Sequence, residues 1–325
     1  MIKAPAGQGK EAALKVYEQV NKIIAKHNTF YGIGTKCDDL LDYLEGEVWD
    51  SEIKYLKGIL AETDAIQGTE KAEAVHNLVE EAVSGGGTYI KYLKQALKGI
   101  NSREDRLAIE EKLKEYCEKK GIKPKIEGQS YLQAVLYDEC DIFLGVKTDH
   151  KEIRKFNEML IEQGVYNEEE IINLRAEQAV LQLLEKNTDD IKDAIQQIKD
   201  PKVLAKINEL LKTKGYESLD NFLSKNFAQT GQDLMRAELA SNNLLDNNTA
   251  AEVAFRLLQN SDFDKRAMGL KAIRNENVAK AVDEKLQTIG SSLAKVCEQF
   301  NKEKEEYKEK AEFWNNLSAV LNMWG

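Results

Sequence analysis

The chain has little of what breaks, bridges or catalyses. Three prolines in 325 residues impose few stops, since proline ends helices by losing its amide and clashing with the preceding turn. Cys37, Cys117, Cys140 and Cys297 lie far apart, without the paired spacing of a zinc site or disulfide framework, and read as reduced thiols. His27, His76 and His150 are equally scattered, so spacing assembles no metal cluster and no Ser-His-Asp or Cys-His arrangement. No apolar run approaches the roughly 20 residues that cross a bilayer. No apolar core precedes Lys10 and Glu11, as a signal peptide would require. A basic excess is missing too. With 46 Lys and Arg against 56 Asp and Glu the net charge is -10, which argues against binding nucleic acid by neutralising phosphates. It also disfavours direct contact with anionic lipid, save through a local basic patch made by folding.

What is present is helix former. The chain is 42% hydrophobic and 31% charged, with long stretches of Glu, Lys, Leu and Ala that lose little on entering a helix. Apolar positions recur every three to four residues. They predict helices over about 10–27, 36–46, 50–63, 69–83, 87–98, 103–119, 129–143, 149–163 and 167–185, then 189–198, 201–213, 216–225, 230–244, 248–259, 262–274, 276–289, 291–311 and 312–323. Gly121 and Gly215 read as C-terminal stops and Asp200-Pro201 as a start. The fold class is all-α.

A short phrase returns four times: an apolar helix end, a small polar turn and a new acidic helix. It is Phe30-Tyr31-Gly32-Ile33-Gly34-Thr35, Leu97-Lys98-Gly99-Ile100-Asn101-Ser102, Leu184-Glu185-Lys186-Asn187-Thr188 and Leu258-Gln259-Asn260-Ser261. Each final Thr or Ser can cap the next helix, with acidic residues in the turns that follow. The spacing divides the chain into a tail over 1–11, repeats over 12–86 and 87–144, a linker helix over 145–170, and repeats over 171–245 and 246–325, arranged two plus two.

Gly32-Ile33-Gly34-Thr35-Lys36-Cys37-Asp38-Asp39-Leu40-Leu41 resembles the loop and first helix of an annexin repeat, and Ile207 to Leu223 resembles later helices of such a repeat. Four repeats with a longer join in the middle are similar to that family as well. Only the first copy keeps Gly-x-Gly-Thr, and Arg274 stands where annexin repeats tend to carry a buried arginine, a place held by Lys199 and Glu47 in the third and first copies. The resemblance implies calcium as cofactor, bridging an acidic protein to an acidic phospholipid membrane. Calcium takes six to eight oxygens, which the family draws from loop carbonyls and a carboxylate roughly 40 residues downstream.

In the first copy Gly32, Ile33, Gly34 and Thr35 would supply loop oxygens, completed by Asp64 or Glu70. Weaker candidates are Gly99, Asn101 and Glu127 in the second copy, and Glu303 or Glu305 opposite the glycine-free fourth loop. The third offers no carboxylate in Lys225–Gln229. The expectation is a non-enzymatic, cytoplasmic protein, peripheral at membranes. Its alternative is a helical scaffold or protein-interaction module with degenerate calcium loops. Three other features are set aside. Ala6–Glu11 lacks the first glycine and the Ser or Thr of a phosphate loop. Ser84-Gly85-Gly86-Gly87-Thr88 reads as a flexible join. Phe313–Trp324 reads as a closing core helix without lysine or arginine on its polar face.

Overall fold

The computed structural model describes residues 15–22, 30–31, 35–36, 50–83, 90–142, 150–185, 187–305 and 308. Among them the extended pairing is one two-residue antiparallel ladder, β1 (Phe30–Tyr31) against β2 (Thr35–Lys36), with Tyr31 opposite Thr35. The remaining regular structure is helical, so the fold class is all-α. The chain divides into two compact units, residues 1–174 and 175–325.

The first unit contains α1 (15–22), α2 (Asp50–Glu62), α3 (Gly68–Val83), α4 (Ile90–Lys98), α5 (Arg103–Lys120), α6 (Tyr131–Ile142) and α7 (His150–Glu162). The boundary falls within α8 (Glu168–Leu184). The second unit continues with α9 (Thr188–Gln197), α10 (Pro201–Thr213), α11 (Leu219–Asn226), α12 (Gln229–Ser241), α13 (Asn247–Leu258), α14 (Phe263–Lys271), α15 (Glu276–Gln287) and α16 (293–305).

Helix ends follow the chemistry of the residues that stand there. Ser102 Oγ accepts the Asp105 amide at 3.0 Å to open α5. The Asp200 carboxylate accepts the Lys202 amide at 2.8 Å ahead of Pro201. Gly121 and Gly215 stop their helices at φ 75° and 85°, a left-handed conformation open to a residue without Cβ. Two expected caps shift by one residue: Asn187, not Thr188, accepts the amides opening α9, and Asp262, not Ser261, those opening α14. Thr35 differs more. It and Lys36 are extended and paired, so the helix expected from 36 does not begin there, because a ladder residue cannot also lie in a helical turn. Residues 37–49, and the helix expected over 312–323, lie outside the described residues.

In the first unit α3 is the axis of the core. It packs against α2, α4 and α5 and buries Ala72, Val75, Leu78, Val79 and Ala82 to 3% exposure or less. Full burial of each large apolar side chain contributes about 1.5–3 kcal/mol. In the second unit α13 takes that place, packed against α12, α14 and α15, with Ala250, Ala251, Val253 and Ala254 fully buried. Its alanines admit close neighbours: a Cβ on Gly269 of α14 would stand 3.1 Å from the Ala254 carbonyl oxygen.

The two units share a local plan. A 13-residue helix (α2, α12) ends near a non-glycine residue in the left-handed region, Asp64 at φ 57° or Asn243 at φ 62°. The buried helix follows, then a nine-residue helix (α4, α14), then a capped helix (α5, α15). The correspondence sets Asn101 opposite Arg274. Asn101 Nδ2 donates to the Ala61 and Glu62 carbonyls at 3.3 and 3.1 Å. Arg274 donates to the Ala240 carbonyl at 2.9 Å and to that of Leu245. Both close the C-terminal carbonyls of the earlier helix. Gly99–Ser102 therefore matches Ala272–Asn275, one helix later in the plan than the turn after Leu258. The recurring phrase marks different junctions in the two units.

Buried charge in the second unit is paired. Asp233 takes a bidentate contact from Arg256 at 2.9 and 2.7 Å, and Gln229 adds a third hydrogen bond. Glu238 receives Lys271 at 2.7 Å and Gln196 at 3.1 Å.

Candidate functional site

In the fourth loop a side-chain cation meets the loop carbonyls and a distant carboxylate. Leu258 ends α13, and Asn260 and Ser261 turn the chain into α14. The Asp262 carboxylate opens that helix, and the Lys265 amide, with its ammonium nearby, holds the Asp262 carboxyl below the usual carboxylate range. From one turn inside α14, Arg266 folds back and donates to the Asn260 and Ser261 carbonyls at 2.9 and 2.8 Å. Its other terminal nitrogen meets the Glu303 carboxylate on α16. Asp283 accepts the Leu293 amide at 2.7 Å, and the Phe263 and Phe300 rings stack at 4.4 Å; both contacts hold α16 against this loop. Two carbonyls and a distant carboxylate thus converge, and a guanidinium stands among them, only 13% exposed.

A second cation is built into the first unit. Lys71 of α3 is 4% exposed and lies 2.6 Å from Asp64 Oδ1 and 2.7 Å from Asp105 Oδ2. Asn101 ties the same group together, its side chain donating to Asp64 at 3.0 Å and its amide to Asp105 at 3.2 Å. An ammonium inside this cluster offsets two carboxylates and offers a donor to each. A hollow of about 320 Å3 lies beside it, lined by Glu62, Lys98, Asn101 and Gln163.

The sequence-predicted residues divide accordingly. Gly32, Ile33 and Gly34 lie outside the described residues, bracketed by the β1–β2 ladder that contains Thr35. Asp64 and Asn101, expected in separate sites, come together around Lys71. Glu70 is exposed in the first turn of α3, and Glu127 is exposed between α5 and α6, just before Gly128. Gly99 serves packing: a Cβ there would stand 2.7 Å from Val75 Cγ2 and 3.1 Å from Ala61 Cβ. Lys71 and Arg266 were missed by sequence reasoning, since each reads as one more surface cation on a charged helix. No group of three or more His, Cys, Asp or Glu among the described residues is placed to hold a metal ion.

No known family, curated protein or solved structure matches this chain. Its chemistry rests on its own side chains. Burial first, then the Glu110 and Asp138 charges, pushes the Cys117 thiol up to about 11, which keeps it protonated and a poor nucleophile near neutral pH. Among the described residues no helix is long and apolar enough to cross a membrane.

Gly99→Val separates packing from ligation. The overpacked contact with Val75 and Ala61 is expected to cost about 1–3 kcal/mol in urea unfolding, with or without calcium. A Gly99 that served only as a metal-loop residue would show no such loss in chelator.

Proposed function

We propose that the chain is an annexin-like, non-enzymatic helical scaffold that acts as a protein-interaction module with internal cations where the resemblance implies calcium. The observation that supports this reading is Arg266. The resemblance calls for loop carbonyls and a carboxylate about 40 residues downstream around a calcium ion. Here the Asn260 and Ser261 carbonyls and Glu303 meet a tethered guanidinium instead. Arginine is charged at every physiological pH and cannot dissociate from the fold. A calcium ion would have to displace it and leave a cation to be rehoused. Lys71 stands likewise between Asp64 and Asp105, and on this reading the helical packing at both places needs no calcium.

The test is co-sedimentation with phosphatidylserine vesicles and thermal melting, each in millimolar calcium and in chelator. The expected result is no calcium-dependent pelleting and no calcium-dependent change in melting temperature for the wild-type chain. Arg266→Ala, which frees Glu303 and the two carbonyls, is expected to acquire a calcium-dependent rise in melting temperature. Calcium-dependent pelleting of the wild type would sink the reading.

One observation favours a second reading, calcium-dependent binding to acidic phospholipid through the first loop alone. Tyr31 and Thr35, which flank Gly32-Ile33-Gly34 in the sequence, are paired, and this first copy alone keeps Gly-x-Gly-Thr. Pelleting that calcium induces and Gly34→Glu abolishes would select it.

A further inference from the structure

Residues 112–125 carry Lys112, Lys114, Lys119, Lys120, Lys123 and Lys125 against only Glu115 and Glu118, a basic segment in a chain whose net charge is -10. All of these lysines are exposed except Lys112, which is half-buried. Lys112, Lys114, Lys119, Lys120 and Lys123 pair with no carboxylate among the described residues. Some lysines elsewhere are engaged internally: Lys54 bridges Asp50 and Glu81, Lys94 meets Glu152 and Lys271 meets Glu238. The lysine-rich stretch is also held in place. Lys112 and Lys119, seven residues apart, share a flank of α5. The Ile122 amide returns to the Cys117 carbonyl at 2.9 Å behind Gly121, and the Lys125 amide donates to Gln129 Oε1 at 2.7 Å, which fixes the turn that presents Lys123. Lysines in the last helical turn complement the helix dipole. That gives Lys119 and Lys120 a place within the helix as well, and all five lysines stay outside any ion pair among the described residues.

We infer that this lysine-lined end of α5 docks an acidic peptide segment of a partner protein, an inference that rests on the interaction-module reading and gives the partner its chemistry. Lysine is a compact, mobile point charge that tolerates varied carboxylate spacing, whereas tight phosphate recognition favours the arginine fork. No arginine stands in 112–125. A bilayer fits less well, because exposed Glu111, Glu115, Glu118 and Glu127 interleave with the lysines. A broad anionic surface would bring those carboxylates within a Debye length of about 8 Å. A slender acidic strand can follow the lysines and pass between the glutamates.

The experiment is a fluorescence anisotropy titration of the full chain against a labelled glutamate-rich dodecapeptide in chelator, at about 50 mM salt. Phosphatidylserine vesicles serve as a second probe under the same conditions. The expected result is saturable peptide binding, weakened at least about tenfold by Lys119→Glu, Lys120→Glu and Lys123→Glu together and comparably by raised salt. The control Lys295→Glu with Lys302→Glu, on exposed positions of α16, is expected to bind like wild type, and both variants should keep the wild-type circular dichroism. Absent peptide binding, equal binding by the triple variant, equal weakening by the control, or capture by vesicles without capture of the peptide would each overturn the inference. Calcium plays no part in these arms, so a calcium response that sank the scaffold reading would appear in the vesicle and melting tests and not here.

Discussion

Lys71→Met is expected to lower the stability of the first unit by about 3 kcal/mol, because it leaves Asp64 and Asp105 facing each other without their shared ammonium. The lysine is 4% exposed, so the loss cannot be made good by solvent reaching the site from its own side; Asp64, at 36%, can take some water. That partial exposure holds the expected cost at the low end for a broken buried pair. In urea unfolding the midpoint should fall with little change in slope. Adding Asp64→Asn and Asp105→Asn to the same chain should recover most of the loss, since it removes the repulsion. A single variant as stable as wild type would mean that the cluster contributes no net stability.

Arg256→Met is the second large effect, expected at about 3 kcal/mol in the second unit, the low end for a broken buried pair, because Arg256 is 32% exposed and Arg236 stands 3.9 Å from the same carboxylate. Asp233 is 4% exposed on its side chain and depends on Arg256 for two hydrogen bonds. Methionine fills much of the arginine's volume, so the loss reports the abandoned carboxylate more than an emptied space. Asp233→Asn in the same background should restore part of it, and thermal melting of the three chains decides the matter. Equal melting temperatures for wild type and Arg256→Met would show that Gln229, Arg236 and solvent suffice for Asp233.

Much of this fold was legible because helix ends are written in local chemistry. Asp200-Pro201 and Lys120-Gly121 name their own positions, and the stripe through Val203, Ile207, Leu210 and Leu211 identifies the buried face of α10. Asp64 and Asn243 were not legible as stops, since a left-handed turn at these residues depends on a later side chain, Asn101 in one unit and Arg274 in the other, closing the carbonyls of the helix just ended. The candidate site was harder still. Gly99 looks like loop chemistry in the sequence, but its missing side chain makes room for Val75 and Ala61. Arg266 has the spacing of a surface residue, and what gives it a role is Glu303, 37 residues away. Sequence period identifies which face of a helix is buried; it does not identify which charged residue turns inward to meet carbonyls and a distant carboxylate.

The packing of α3 against α2, α4 and α5 has a consequence for synthesis. The core of the first unit is closed by helices that follow one another in the chain, and its last buried member is Leu174. Neighbours in sequence meet with little loop-closure entropy, and such cores form fast. A growing chain emerging at about 5–20 residues per second can therefore bury α3, and with it the Lys71 ammonium, while the residues that will surround α13 are still being translated.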